Sequence, residues 1–430
     1  MAGDDQRGGR RLLDPLRAFL HAEAAGGVVL AVAAGVALVW ANSPLAGSYT
    51  SLWDFELTIG IGPASIREDL RHWVNDGLMA VFFFVVGLEI KRELVTGELR
   101  DPRAALLPVL AAAGGVVLPA LLFLAVTGGG PAAAGWGIPM ATDIAFALGV
   151  LALLGERVPI GAKLFLLTIA IVDDILAITV IAVAYSDSIS PGWLGGAVGG
   201  LLLIAGLRAV GVSAIWPYVP IGIAVWVATL ESGVHATIAG VALGLLTPAQ
   251  PVGGRDVLGV LEHRLHPVSA FAIVPLFALA NAGVAVSGDA LVAPGAARLA
   301  GAVVLGLLAG KTLGIAGTTL LARRLGLGVL PTGVTTRYVW GLAALAGIGF
   351  TVSLFIADLA YDTDALTDTA KIGILAGSLT AALLGAAILY PGRHPRPQNP
   401  PPQNPHAPGE LAATPGSHED TARLTNPHPR

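Results

Sequence analysis

From residue 24 to residue 391 the sequence is a succession of apolar runs divided by short polar segments. Most of these runs approach or exceed the roughly 20 residues needed to cross a bilayer. Composition agrees with a membrane setting: 54% of residues are hydrophobic, only 13% are charged, and mean hydropathy is +0.74. Soluble domains carry about 25% charged residues, and a soluble protein this apolar would expose large sticky patches. The expectation is an all-α polytopic membrane protein. Spans are read at 24–41, 73–90, 104–127, 135–154, 160–185, 192–210, 215–230, 233–248, 266–287, 298–320, 336–359 and 370–391, about twelve helices in all. The two short runs on either side of Glu231 are counted separately.

The basic residues test that count. If both termini are cytoplasmic, twenty Lys and Arg fall inside and four outside (Arg67, Arg71, Arg298, Lys371), with Lys311 within a span. Such a bias follows the positive-inside rule and sets both termini of a multi-pass chain on the cytoplasmic side. Residues 1–23 form a polar cytoplasmic segment, and the first apolar run begins too far in, without a small-residue cleavage site, to read as a signal peptide. Residues 24–391 form the transmembrane domain. Residues 392–430, rich in Pro, Asn and His, are expected to be a disordered cytoplasmic tail. The segment 55–66 (FELTIGIGPASI) fits a short β-hairpin or an irregular loop. The chain has no cysteine, hence no disulfide framework and no thiolate metal site. Its 56 glycines suit close packing of membrane helices.

Within this apolar frame a few polar residues are conspicuous. Asp173 and Asp174 lie side by side in TIAIVDDILAI, in a run with no polar face. Each carboxylate costs roughly 2.5–3.5 kcal/mol at a helix centre, and intramembrane acids usually face a water-filled cavity and handle an ion or a proton. The span GWGIPMATDIAFALG sets Gly137 and Pro139 before Thr142 and Asp143. A helix broken at membrane depth is tolerated where the freed backbone lines a cavity, and an acid there stabilises the positive end of a half-helix; a simple proline kink is the plainer reading. Lys311 is the only base inside a span, and an ammonium in hydrocarbon seeks a carboxylate. In LAGIGFTVSLFIADLA, Gly347 and Gly349 permit unwinding or a close crossing. At the cytoplasmic edge, Glu89, Arg92 and Glu93 end one span, while LEHRLHP supplies Glu262, His263 and His266 before another. Such a cluster is either a solvated edge or a sensor of proton concentration.

Taken together, ATD in a broken helix, VDD one span later, the lone Lys311, AGIGF, VGLEIKRE, ESGVHATIAG and LEHRLHP resemble the NhaA-type sodium/proton antiporters, in order, over residues 15–391. That family is among the inverted-repeat transporters. The resemblance implies inverted repeats and two interrupted helices crossing at mid-membrane, at Pro139 and at Gly347 and Gly349. It makes Asp174 the principal sodium ligand, assisted by Asp173, with Thr142 and Asp143 lining the crossing. Asp143 would offset half-helix N-termini and Lys311 the C-termini, Lys311 pairing with Asp173 when the site is empty. Glu89, Arg92, Glu262, His263, His266 and also His235 match a pH-response region, the 55–66 loop a homodimerising hairpin, and Asp76 a further family acid. The partners implied are sodium, lithium, protons and the bilayer, with no nucleic acid and no cofactor.

The activity this implies is pH-regulated, electrogenic export of sodium or lithium against protons, not enzymatic catalysis. A carboxylate in apolar surroundings can hold a proton near neutral pH, whereas a hard cation needs it ionised, so the two exclude each other. Two other classes of function fit these residues less well. An intramembrane aspartyl protease would need acids on two helices, which Asp143 and Asp173 nominally supply, but the chain has GIGF where one such family has GxGD. LEHRLHP does not match the HExxH of metalloproteases. A cation channel would conduct without coupled proton movement.

Overall fold

The structure is a computed structural model of the whole chain and describes residues 25–61, 64–186, 189–212, 214–252, 254, 256–285 and 295–390. The expectations for residues 1–23 and 392–430 fall outside the described residues. The helices are α1 (Ala25–Ala41), α2 (Ala46–Trp53), α3 (70–96), α4 (Pro102–Thr127), α5 (Pro131–Met140) and α6 (Ile144–Leu153). They continue with α7 (Ile160–Ala184), α8 (Pro191–Ala209), α9 (Tyr218–Leu230), α10 (Thr237–Leu246) and α11 (Val257–Asn281). The last four are α12 (Ala296–Arg324), α13 (Thr336–Leu345), α14 (Phe350–Ala360) and α15 (Asp364–Leu389). Among the described residues six helices are long and apolar enough to cross a membrane, or nine if each sharply bent pair is one span.

Segment 55–66 resolves in favour of the hairpin. β1 (Glu56–Ile61) pairs antiparallel with β2 (Ala64–Asp69), with Glu56 opposite Asp69 and Ile59 opposite Ile66. Its return strand runs into α3, where the Asp69 side chain accepts from the His72 backbone N–H and starts the helix. This marks one end of the bundle, called here the hairpin end.

The long spans are not regular throughout. Wide π turns interrupt α3 at Trp73–Leu78, α11 at Ser269–Ile273 and α12 at Gly306–Gly310. In α11 the cause is in the sequence: Pro267 has no N–H to give and cannot continue the ladder. The turn in α12 ends one residue before Lys311. Such turns recur at functional sites.

Packing divides most of the helices into two groups. α4, α5, α7, α12, α13, α14 and α15 pack chiefly among themselves, as do α3 with α10 and α11, and α8 with α9 and α10. Contacts between the groups are sparser, chiefly α3 with α7 and α11 with α14. In the first group α12 lies against α4 so closely that a methyl on Gly314 would meet the Gly114 carbonyl oxygen at 2.2 Å. Only glycine allows that approach, and it carries Lys311, one turn away, into the protein interior.

Several span ends move from their expected places. α3 begins at residue 70 and runs to 96, and α11 begins at 257, nine residues before its expected start. Their polar ends, LRH and KRELVT in α3 and LEHR in α11, extend helices whose hydropathy alone stops earlier. Lys371, expected outside, lies two turns into α15 and is buried. The polar stretch before it is helical and packed, so the hydropathy minimum there is not a loop.

Candidate functional site

The broken helices carry the site. α5 stops at Met140 and α6 starts at Ile144, bent by 46°, while α13 stops at Leu345 and α14 starts at Phe350, bent by 45°. The two breaks bond directly to each other. The Asp143 N–H donates to the Ile348 carbonyl at 2.6 Å, and the Thr142 hydroxyl donates to the Ala346 carbonyl at 2.8 Å. A methyl on Gly347 would meet the Leu307 carbonyl oxygen at 2.4 Å, so close approach explains this glycine. Pro139 stands on the last turn of α5, against α12 at Gly306.

Asp143 is shared between two helix ends. Its Oδ1 accepts from the Phe146 N–H at 3.0 Å and caps α6, while its Oδ2 accepts from the Thr351 N–H at 3.1 Å and from the Thr351 hydroxyl at the start of α14. Half-helix N-termini present unpaired N–H groups and partial positive charge, and one carboxylate serves both. Ser353 donates to the Ile138 carbonyl at 2.7 Å, supplying a partner for the outgoing end of α5. Ser378 on α15 accepts from the Phe350 N–H at 3.2 Å.

Asp173 and Asp174 sit about 20 Å along a helix of about 37 Å. Adjacent residues on a helix point about 100° apart, so the two carboxylates face different surroundings. Asp173 Oδ2 accepts from Lys311 Nζ at 2.6 Å, and both side chains are shut off from solvent. Its other oxygen, Oδ1, has no well-aligned donor among the described residues, with Thr142 among the carboxylate's polar neighbours. The Thr312 hydroxyl, next to Lys311, is likewise buried without a partner among them.

Asp174 instead faces a cavity of about 70 Å³ that also reaches Glu89, Thr142, Asp143, His266 and Thr351. A site needs roughly 10–15 Å³ of such space for each water, so an ion with several oxygen partners fits. Asp173, Glu89 and Asp143 all act electrostatically on Asp174, with Lys311 the opposing charge. So many acids around one small space call for protons or a cation.

The residues expected at the cytoplasmic edge are partly assembled. His266 Nε2 lies 3.8 Å from Glu89 Oε1 at the rim of the cavity, and Arg92 bonds Glu262 beside it, both at the end of the bundle opposite the hairpin. His263 is exposed on the same helix, outside the cavity lining. His235 is elsewhere: its ring contacts the Tyr185 carbonyl beyond the other end of α7. Asp76 lies in the first π turn, and its carbonyl accepts from Trp226 Nε1 at 2.9 Å.

The residues now in place match a known family. The profile of the Na+/H+ antiporter 1 family matches residues 17–389. The chain belongs to that family. Among its relatives, "Na(+)/H(+) antiporter NhaA" of Acidovorax sp. is 50% identical over 375 residues, 85% of this chain and 89% of its own. "Na(+)/H(+) antiporter NhaA 2" of Erythrobacter litoralis is 49% identical over 381 residues, covering 88% and 94% of the two chains. "Na(+)/H(+) antiporter NhaA 3" of Frankia alni is 47% identical, covering 87% and 88%. As a family member the chain is a transporter and not an enzyme, and the geometry is unfavourable to an aspartyl dyad. Asp143 is committed to two helix ends and Asp173 to Lys311.

Sequence reasoning missed the hydroxyls that complete the breaks. Thr351 and Ser353 stand two and four residues after Gly349, in register with the break, and Ser378 belongs to a different span. A signal existed for the first pair, since polar side chains directly after GIGF invite a role in satisfying freed backbone. None existed for Ser378, whose partner is 28 residues away.

Proposed function

We propose that this family member exchanges sodium or lithium for protons at one site in which Asp174 is the principal cation ligand. The observation that carries the reading is the different engagement of the two neighbouring acids: Asp174 opens on the cavity with Thr142, Asp143 and Thr351, while Asp173 is held by Lys311. A cation entering beside Asp174 competes with protons for the same carboxylate oxygens. Arrival of its charge also weakens the hold of Lys311 on Asp173, freeing a second acid–base group. More than one titrating group per cation makes the exchange electrogenic.

In this reading the chain makes about twelve spans across a bacterial inner membrane, with both termini cytoplasmic and residues 24–391 as the transporting domain. Two inverted repeats cross at their breaks near mid-membrane, and rigid-body movement alternates exposure of the site. Glu89, Arg92, Glu262, His263 and His266 tune activity to pH on the cytoplasmic side, with His235 acting from the other end. The hairpin joins two copies.

The test uses everted vesicles acidified by respiration, to which sodium, lithium or potassium is added across a pH series. Sodium and lithium are expected to discharge the proton gradient and potassium is not. Asp174→Asn is expected to lose that discharge; sodium-evoked proton movement persisting in this variant would overturn the assignment.

A further inference from the structure

A second buried ion pair lies outside the ion site. Lys371 Nζ donates to Asp358 Oδ1 at 2.6 Å, with the two side chains 4% and 17% exposed. Asp358 is on α14, nine residues past Gly349 toward the hairpin end, and Lys371 is on α15, in the same packing group. The other oxygen of Asp358 is turned toward the second group: Asn75 Nδ2, on α3, lies 3.4 Å from Oδ2. Asn75 is itself held by Asn281 on α11, whose Nδ2 donates to Asn75 Oδ1 at 2.7 Å. Tyr49, Arg71 and Asp368 surround the cluster within electrostatic reach.

Below this cluster the seam between the groups is filled. Asn75, Met79 and Phe83 follow one another at intervals of four on α3. Met79 has no exposed surface, and Phe83 and Phe277 both meet Phe355, with ring centroids 5.5 and 6.3 Å apart. On the far side of the crossing lies the cavity of Asp174, bordered by Glu89 and His266. The two sides of the site therefore differ: one is cavity, the other is ring packing under a polar bridge.

We propose that Asn75 and Asp358 form a latch holding the hairpin-end route to the ion site closed, to be broken when the two helix groups part. The proposal rests on the exchange reading above only in taking that route as the outward one. Its chemistry suits a bond made to be broken. The bridge is long and has one neutral partner, while each side keeps a shorter bond within its own group. When the bridge opens, Asp358 retains Lys371 and Asn75 retains Asn281, so parting strands no charge without a partner. A bond whose loss left a bare carboxylate would hold too strongly to cycle.

The chain has no cysteine, so a single thiol can report on the route. Met79→Cys is placed in the full chain in right-side-out vesicles, and its reaction with a membrane-impermeant maleimide added outside is timed. Slow labelling is expected in this parent, and about tenfold faster labelling when Asn75→Ala removes the bridge. Asn75→Ala leaves the Asp358–Lys371 pair whole, so its melting temperature is expected to stay near that of the parent; Asp358→Ala should label at least as fast but melt lower. Equal labelling in parent and Asn75→Ala, or fast labelling in the parent, overturns the latch. Sodium-evoked proton movement, measured in parallel, separates the two ideas. Exchange with unchanged labelling overturns the latch alone, whereas faster labelling without exchange in any version supports the latch and overturns the exchange reading.

Discussion

Two lysine–aspartate pairs lie buried in this bundle at the same distance, 2.6 Å, yet their surroundings differ. Lys311–Asp173 is fully enclosed, and one oxygen of its acid has no aligned donor among the described residues. Lys371–Asp358 is slightly exposed, and its second oxygen meets Asn75. An incompletely satisfied buried carboxylate is poised to change partners, whereas one satisfied on both oxygens keeps its lysine even when the weaker bond opens. The difference teaches that a buried ion pair says little by itself, and that what the remaining lone pairs face decides between chemistry and architecture.

The largest expected effect separates these pairs. Removing one partner of a fully buried pair costs about 3–5 kcal/mol, so Lys311→Ala should lower the melting temperature sharply and alter the pH profile of exchange. Lys371→Ala leaves Asp358 with Asn75 and some water, and a smaller loss of about 1–3 kcal/mol is expected. Equal losses in a thermal-melting comparison would erase the distinction. Joint replacement by Asp173→Leu and Lys311→Met should recover stability while the pH profile of exchange stays altered, because apolar groups can replace a buried pair without penalty.

A middle-sized effect contrasts the crossing with the outer face of α12. Gly347→Ala would drive a methyl into the Leu307 carbonyl and should cost about 1–3 kcal/mol. Gly301→Ala meets nothing within 4 Å, and should instead stabilise its helix by about 0.5–1 kcal/mol. Melting curves in which the two variants move together would show that the crossing is not tightly packed.

The smallest effect concerns the hairpin end. Burial works against the charged form of His72, but the acids around it, Asp69 bonded to its ring Nδ1 at 2.9 Å with Asp76 and Glu68 nearby, more than compensate and lift its pKa above the ordinary 6.5. A group raised on folding stabilises most below its unfolded pKa and ceases to do so as pH rises through the folded one. Amide exchange in the hairpin should therefore be slower near pH 6 than near pH 9, after correction for the intrinsic rate. Asp69→Asn should flatten that difference; an undiminished one would point to another group.

The sequence made the elements of the crossing readable because each violates a membrane norm. Asp173, Asp174 and Lys311 are charged where lipid forbids it, and Pro139 interrupts a span. Charge alone called for an acid beside Lys311, the family resemblance named Asp173, and Lys311 does bond Asp173. The second pair was hidden by the same logic. Lys371 stands seven residues into a helix whose start is polar, so hydropathy placed it outside, and Asp358 then had no visible partner. The position of His235 against Tyr185 and the two-way role of Asp143 depend on contacts between distant spans, which periodicity along one helix does not encode.

That two-way role has a mechanical consequence. A single side chain rivets α6 to α14, and backbone bonds tie the same breaks together, so neither half-helix can swivel without tearing both. Whatever carries an ion from one face to the other must lift this joint as one solid part and let the softer seam around it yield.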